Sequence, residues 1–585
     1  MKDKVFWELM DSLRGGLPIS AAATGEFALK LLVWARLSGD KDAVPTQPDR
    51  LREALASSGY DPALVRQAFP DDPGLARLGA AKLQPALDLL LRLREQGILE
   101  TFDPSDASAI LFSDRSGFFG LPSEVVVLLV GLAGLSSGDA VYAPWDAGGQ
   151  LASRSVRRAA SVYLETPQVS AVPALMSLLS DKPFEVHYAD PIRDPSAVEA
   201  GKLRQFDTAV AFPPFGIRYE LKDIERDWFE RFPERTAAGA VLAVRHLLAQ
   251  TRGRVVVAVQ NSLLFSVGVE QALRQDLLEG GHVRAVVAMP AGLLATTNIA
   301  FTVLLLDPAG GHEHVRFVNA DSSRFRESVS KAKTRLTDPV ALIDEILETG
   351  ETAESVTVPV RDVLANDAQL QVDRYVLPEA KKRLAAFLAD AKTIALGELV
   401  TTIRPMRAAP RDEGTLEVRE VGAADLPTHG YIGMPSRVVR VDSDLPPRAR
   451  QQFLQPYDIV LIVKGSVGKV GIVPPDVPPG GEGRWVAGGS AIVLRMTDRE
   501  RFDPRALFLE LRSALGQELL SGIVSGATIP LIQLRELNRL ALPVPDAETA
   551  QRAVDAFERE IELQQEIERL QKQQAELSSN LWTLG

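Results

Sequence analysis

The sequence contains no cysteine. That excludes a disulfide framework, thiolate zinc sites and a cysteine nucleophile. Histidine is scarce too, six in 585 residues, so a metal enzyme has little support. There is no run of about 18 or more apolar residues, which argues against a transmembrane helix. The first residues, MKDKVFWELMDSLRGG, lack the apolar core of a secretory signal, and the expected compartment is the cytoplasm of a bacterium or archaeon. Positive charge is in short supply: 65 Lys and Arg stand against 77 Asp and Glu, a net −12. Bulk attraction to nucleic acid is therefore not expected, and any basic face must be local. Residues 396–545, with about 18 basic and about 17 acidic residues, are close to neutral, so the acidic excess lies elsewhere. No long-period repeat or low-complexity tract occurs.

What is present is ordinary for a globular protein: 46% apolar and 24% charged residues. At about 100–200 residues per domain the chain should hold three or four domains. Residues 1–115 read as a helical N-terminal domain, with helical periodicity in FALKLLVWARLS (27–38) and AKLQPALDLLLRLREQGIL (81–99). Residues 116–330 alternate helices such as SEVVVLLVGLAGL (123–135) with short β-branched runs. Those runs are AVYAP (140–144), SVYLE (161–165), FEVHYAD (184–190), DTAVAF (207–212), RVVVAVQ (254–260), VRAVVAMP (283–290) and FTVLLLD (301–307). This βαβ pattern predicts a mainly parallel sheet covered on both faces, with ligands at the carboxyl ends of its strands. Residues 331–395 read as a mixed connecting region ending in a helix at 378–393. Residues 396–546 read as a second, mainly β domain with some helix, built on YDIVLIVKGSVGKVGIV (457–473) and WVAGGSAIVLRM (485–496). In residues 547–585, Val554, Phe557, Ile561, Ile567, Leu570, Leu577 and Leu581 recur mostly at three- and four-residue steps, with one phase break. That is a coiled-coil-like helix that needs a partner, or else a surface helix on its own domain.

Four segments carry candidate chemistry. In DAVYAPWDAGGQLA (139–152) a strand runs into a glycine-containing turn, which lets backbone and a helix N-terminus approach a nucleotide-like ligand; many ordinary turns look alike. Glu165, ending SVYLE, can accept both ribose hydroxyls of a nucleoside or be a solvated strand end. Asp190, after FEVHYA, can accept from an adenine amino group or cap a helix. In FDTAVAFPPFG (206–216) two prolines stiffen the turn after a strand, and Phe215 can stack on a base flipped out of a duplex.

Order and spacing of these segments resemble the methyltransferase subunit of type I restriction-modification systems, the N6-adenine DNA methylase family. The cofactor loop of that family reads roughly DPxxGxGG; the aligned stretch is Ala143-Pro144-Trp145-Asp146-Ala147-Gly148-Gly149. Its catalytic tetrapeptide is Asn-Pro-Pro-Phe or Asn-Pro-Pro-Tyr; the chain has Phe212-Pro213-Pro214-Phe215. The N-terminal DSLRGGLPIS…LKLLVWARLS and the segment 253–307 match further, so the resemblance covers about 1–390. Residues 453–473 and 526–546, followed by the terminal helix, resemble one target-recognition domain of a specificity subunit. The resemblance therefore implies an N-terminal helical domain, a Rossmann-like class I methyltransferase domain binding S-adenosylmethionine through Pro144, Asp146, Gly148, Gly149, Glu165 and Asp190, a mixed α/β target-recognition domain, and a C-terminal coiled-coil helix. It implies double-stranded DNA as partner, pairing of two chains through the helix to build a bipartite reader, and nuclease or helicase subunits as effectors. No metal is implied.

Two departures from the family pattern stand in independent motifs. The family's Asn accepts hydrogen bonds from the adenine amino group, freeing its lone pair for attack; Phe212 has no side-chain acceptor, a loss of a kind that costs on the order of 10²–10³ in rate. The loop acid is replaced by Ala143 and its first glycine by Ala147. They favour a catalytically degenerate, sequence-specific DNA reader in a restriction or antiviral-defence assembly over an active adenine-N6 methyltransferase with a remodelled pocket. Activity on RNA is weaker still, because of the recognition domain. Candidate DNA contacts are Arg404, Arg407, Lys464, Lys469 and Arg484, each of which is also an ordinary surface charge. Lys464-Gly-Ser-Val-Gly-Lys469 is not a phosphate loop, since it lacks the spacing and lies in a β region.

Overall fold

The computed structural model describes residues 3–13, 21–38, 48–71, 80–101, 103, 120–225, 227–294, 297–330, 332–377, 387–388, 391–405, 414–441, 450–478, 483–525 and 530–579. It divides into two compact units, Met1–Leu377 and Pro378–Gly585.

The first unit is built on a nine-stranded sheet. Its strands are β1 (Ala140–Pro144), β2 (Ser161–Glu165), β3 (Glu185–His187), β4 (Phe206–Ala211), β5 (Thr251–Gln260), β6 (Val283–Ala288), β7 (Phe301–Leu306), β8 (His314–Asn319) and β9 (Ser355–Pro359). Their order across the sheet is β3-β2-β1-β4-β5-β7-β6-β8-β9. β3, β2, β1, β4 and β5 run parallel, β7 lies antiparallel between β5 and β6, and β9 is an antiparallel edge on β8. The expected mainly parallel sheet is therefore present, with β9 drawn from the stretch read as a connector. The central strands are apolar without alternation because both faces are covered: Val255, Val256, Val257 and Ala258 are all buried. Each such valine side chain contributes roughly 1.5–3 kcal/mol relative to exposure. The strand expected over 184–190 stops at His187, because Asp190 turns the chain by accepting from the Ile192 N–H.

On one face lie α1 (Asp3–Leu13), α2 (Ala21–Val33), α3 (Ala80–Glu95), α4 (Ser123–Ala133), α5 (Gln150–Ser155) and α6 (Val172–Leu179), which share one core with the sheet. α2 runs on into a π-helical turn, Trp34–Ser38. The other face carries α7 (Gly239–Gln250) and α8 (Val269–Glu279) over a second core.

The second unit has a four-stranded and a three-stranded sheet. The first joins β10 (Val400–Ile403), β13 (Ile459–Ile462), β14 (Val470–Ile472) and β16 (Ala491–Met496); the second joins β11 (Leu416–Val421), β12 (Arg437–Val441) and β15 (Trp485–Ala487). Helices α9 (Pro504–Arg512) and α10 (Ala514–Gly522) pack on the four-stranded sheet. The terminal helix α11 spans Ala547–Ser579. Its first turns dock within the unit: Val554 and Phe557 are buried, and Phe557 meets Phe508 and Tyr431 edge-on. Glu560 accepts from Arg512 and from the Gly430 N–H. Beyond this point Leu563, Ile567, Leu570 and Leu577 face solvent, Leu577 being 76% exposed. Leu581 and most of the expected helix 378–393 lie outside the described residues.

Candidate functional site

In the first unit, the strands of the parallel half end on one edge. Register pairs Pro144 with Glu165 and Glu165 with His187, and the Pro213-Pro214 turn follows β4 alongside. All four segments singled out in the sequence are thus gathered at the carboxyl ends of β1 to β4, where ligands of such sheets bind.

At the first loop, Trp145 and Gly149 both hold positive φ, 60° and 64°. Gly149 suits this conformation, and a Cβ there would meet the Met176 Cβ at 2.9 Å. Asp146 does not aim into the crevice. It is buried and accepts from the N–H groups of Gln150 (3.0 Å) and Ala152 (2.9 Å), the first turn of α5. Burial pushes its carboxyl up to about 6, against the pull of those N–H groups. Gly148 stands in the same turn, and Ala143 and Pro144 are buried in β1.

Glu165 is not a solvated strand end; it is fully buried. One oxygen accepts from the Ser196 N–H (2.6 Å) and hydroxyl (2.8 Å), and the other accepts from the Tyr142 hydroxyl. Behind Tyr142 stands His246, whose Nε2 is 2.9 Å from the Tyr142 hydroxyl and whose Nδ1 is 2.8 Å from an Arg231 nitrogen. A guanidinium only donates, so Nδ1 accepts and Nε2 carries the proton. The chain of donors then runs one way: Arg231 to His246, His246 to Tyr142, Tyr142 to Glu165. Burial, reinforced by Arg231, holds His246 well below its ordinary pKa and therefore neutral. Burial first, then the neighbouring Glu165, raises Tyr142 well above its ordinary value. Arg231 also pairs with the buried Asp227 and donates to the carbonyls of Pro191 (2.8 Å) and Ile192 (2.7 Å). Sequence reading missed Tyr142, Ser196, Asp227, Arg231 and His246. The available signal was a lone His in the apolar run GAVLAVRHLLAQ, which reads equally as a core histidine.

Asp190 is half-buried and accepts from the Ile192 N–H (2.9 Å) and from the Tyr219 hydroxyl (3.2 Å). Phe212 is 6% exposed and packs against Phe215 and Phe301, with ring centroids 5.2 Å away in each case. Pro213 and Pro214 are buried, and Phe215 is half-buried in the same cluster. The Gly216 N–H donates to Gln260 Oε1 at 3.1 Å and fixes the end of the turn. A cavity beside Pro213–Gly216 has about 10 Å³, the threshold for one water rather than a base.

In the second unit Arg404 follows β10 and is exposed. Lys464 and Lys469 share the β13–β14 connection and are exposed; Lys469 donates to the Ala423 carbonyl at 2.6 Å. Arg484 precedes β15 and is half-buried, its guanidinium 4.5 Å from the centre of the Phe453 ring. Arg407 lies outside the described residues. Among the described residues no group of three or more His, Asp or Glu is placed to hold a metal, and no helix is long and apolar enough to cross a membrane.

The sheet order and the crevice at its carboxyl edge define a mixed α/β fold resembling class I methyltransferases. Residues 164–383 match the family described as N-6 DNA Methylase. A type I restriction enzyme MjaVII methylase subunit of Methanocaldococcus jannaschii is 23% identical over 318 residues, 49% of this chain and 53% of that protein. The MpnII methylase subunit of Mycoplasma pneumoniae is 25% identical over 246 residues, 40% and 43% of the two chains. The chain thus spans about half the length of the curated relatives it matches. Among solved structures, a type I methyltransferase subunit from Streptococcus thermophilus superposes over 64% of this chain and 99% of its own with a TM-score of 0.51 at 17% identity. The type IIG restriction endonuclease BpuSI covers 95% of this chain and 74% of its own with a TM-score of 0.52 at 11% identity. At these identities the likeness shows the fold. The chain carries an N-6 DNA methylase domain, and its homologues include methylase subunits of type I restriction enzymes.

This fold implies S-adenosylmethionine as cofactor, and the residues fit it poorly. The loop acid is absent at Ala143, Asp146 is committed to the α5 backbone, and both oxygens of Glu165 are occupied by internal donors behind a closed surface.

Proposed function

We propose that this protein is a sequence-specific, methylase-like DNA-binding protein of a restriction or phage-defence system that has lost methyl transfer. The observation that carries the reading is Phe212. Where the family has an amide acceptor for the target amino group, this chain has an aromatic ring packed into the Phe215–Phe301 cluster. The Pro213 carbonyl alone is a poor substitute. The commitment of Asp146 and Glu165 to internal donors supports the same reading and argues against S-adenosylmethionine binding. The second unit then serves as a single target-recognition domain, residues 396–546, fused to the methylase-like unit. The fold likeness of a type IIG restriction endonuclease over 95% of this chain supports that layout. DNA-bound protein recruits a nuclease or helicase effector, in the cytoplasm. The expected result is no site-specific N6-methyladenine in long-read sequencing of DNA from cells overexpressing the protein; a clear signal at one motif overturns the reading.

Two copies pair through α11, which builds the equivalent of a two-domain reader. Support comes from Ile567, Leu570 and Leu577, which continue the apolar stripe after its first part has docked on its own unit. Ile567→Asp with Leu570→Asp should turn a dimer into a monomer in light scattering, while Val554 and Phe557 keep the helix base in place. An unchanged mass removes the pairing.

A further inference from the structure

Trp228 is 93% exposed, in the loop that follows the Phe212–Phe215 turn and precedes α7. Its neighbours are fixed. Asp227 pairs with Arg231 at 2.8 Å, and both side chains are almost fully buried. Arg231 lies over the rings of Phe229 and Phe232, 5.7 and 4.5 Å from their centres, and is tied to the carbonyls of Pro191 and Ile192 in the loop after β3. The same loop holds two non-glycine residues at positive φ, Glu230 (53°) and Arg235 (43°). A segment anchored beside the crevice by this buried pair thus presents an indole that contacts little of its own chain.

We propose that Trp228 is a stacking platform for an unpaired base at the mouth of the crevice; this rests on the DNA-binding reading above. The surroundings favour a base over a protein surface. Arg218, Glu225, Glu230 and Arg235 are exposed on the same segment, along with one other large apolar side chain, Leu221, while Phe229 is half-buried. A protein interface needs contiguous apolar area at its core, whereas one exposed indole suffices for a base, and arginines on the same segment can meet phosphates. Phe215, the other aromatic of the motif, is half-buried against Phe212 and Phe301 and presents less of its face.

The test uses the full chain and two labelled 30-base-pair duplexes of the same mixed sequence, one intact and one with a single unpaired adenine, followed by fluorescence anisotropy. An unpaired base is the least costly to extrude. Wild type should prefer the bulged duplex by about tenfold, the size of one stacked base. Trp228→Ala should abolish the preference and leave affinity for the intact duplex within about twofold, and Trp228→Phe should keep most of it. A wild-type protein without the preference, or one whose preference survives Trp228→Ala, overturns the stacking role while the DNA reading stands. Binding to neither duplex overturns the stacking role as well, while the sequence-specific reading is judged on DNA that carries its site.

Discussion

Arg231→Ala is expected to lower the stability of the first unit by about 3–5 kcal/mol. The side chain is 1% exposed and serves Asp227, His246 and two backbone carbonyls together. Truncation leaves the Asp227 carboxylate buried without its partner and strips the Pro191 and Ile192 carbonyls of their donor. It also frees His246 Nδ1, so that neither tautomer is imposed and the donor chain through Tyr142 to Glu165 loses its direction. Arg231→Lys should recover little, because one ammonium cannot reproduce the fork that reaches all four acceptors. Asp227→Leu combined with Arg231→Met should recover much of the loss, since removing both charges ends the burial of an unpaired one. Urea unfolding followed by tryptophan fluorescence suits the measurement, because Trp7, Trp34, Trp145 and Trp228 lie in the first unit and only Trp485 and Trp582 in the second. A loss below about 1 kcal/mol would mean that the pair behaves as a surface ion pair.

The contrast between what was and was not legible in the sequence follows from range. β1 and β2 occupy the very residues read as AVYAP and SVYLE, because buried parallel strands are short β-branched runs bounded by turn formers. The crevice was equally legible, since strand ends in a parallel sheet converge whatever the side chains do. The state of the side chains there was not. Nothing local to Glu165 announces that Ser196, 31 residues on, and Tyr142, on the adjacent strand, will take both its oxygens. The resemblance places Asp146 among the cofactor-binding residues, yet the backbone N–H groups of the first turn of α5, four and six residues on, claim its carboxylate. The terminal helix shows the same limit. Its periodicity, with one phase break after Ile561, does not say which part is covered, and the structure docks the stripe up to Ile561 and leaves the rest facing solvent.

The commitment of Asp146 has a pH signature. Its carboxyl titrates near 6 in the folded protein, against an ordinary value of 3.8. Between those values the folded state binds more protons than the unfolded state, so this group's contribution to stability falls as pH rises and is constant above about 6. A shift of about two units amounts to roughly 3 kcal/mol in all, of which about 2 kcal/mol falls between pH 4.5 and 7. Asp146→Asn removes the titration. The variant carries a fixed cost for replacing one helix-capping oxygen with an amide NH₂. Relative to wild type, however, it should gain about 2 kcal/mol on going from pH 4.5 to pH 7. Comparing the two proteins at each pH cancels the other groups, including His246, whose lowered pKa acts with the opposite sign: it removes stability as pH falls below about 6.5. An Asp146 turned into the crevice and open to solvent would titrate at its ordinary value, and the difference between the proteins would be flat above pH 4.5. A flat difference would therefore release the carboxylate from α5, restore an acid to the cofactor loop and remove one support from the reading of this domain as catalytically silent.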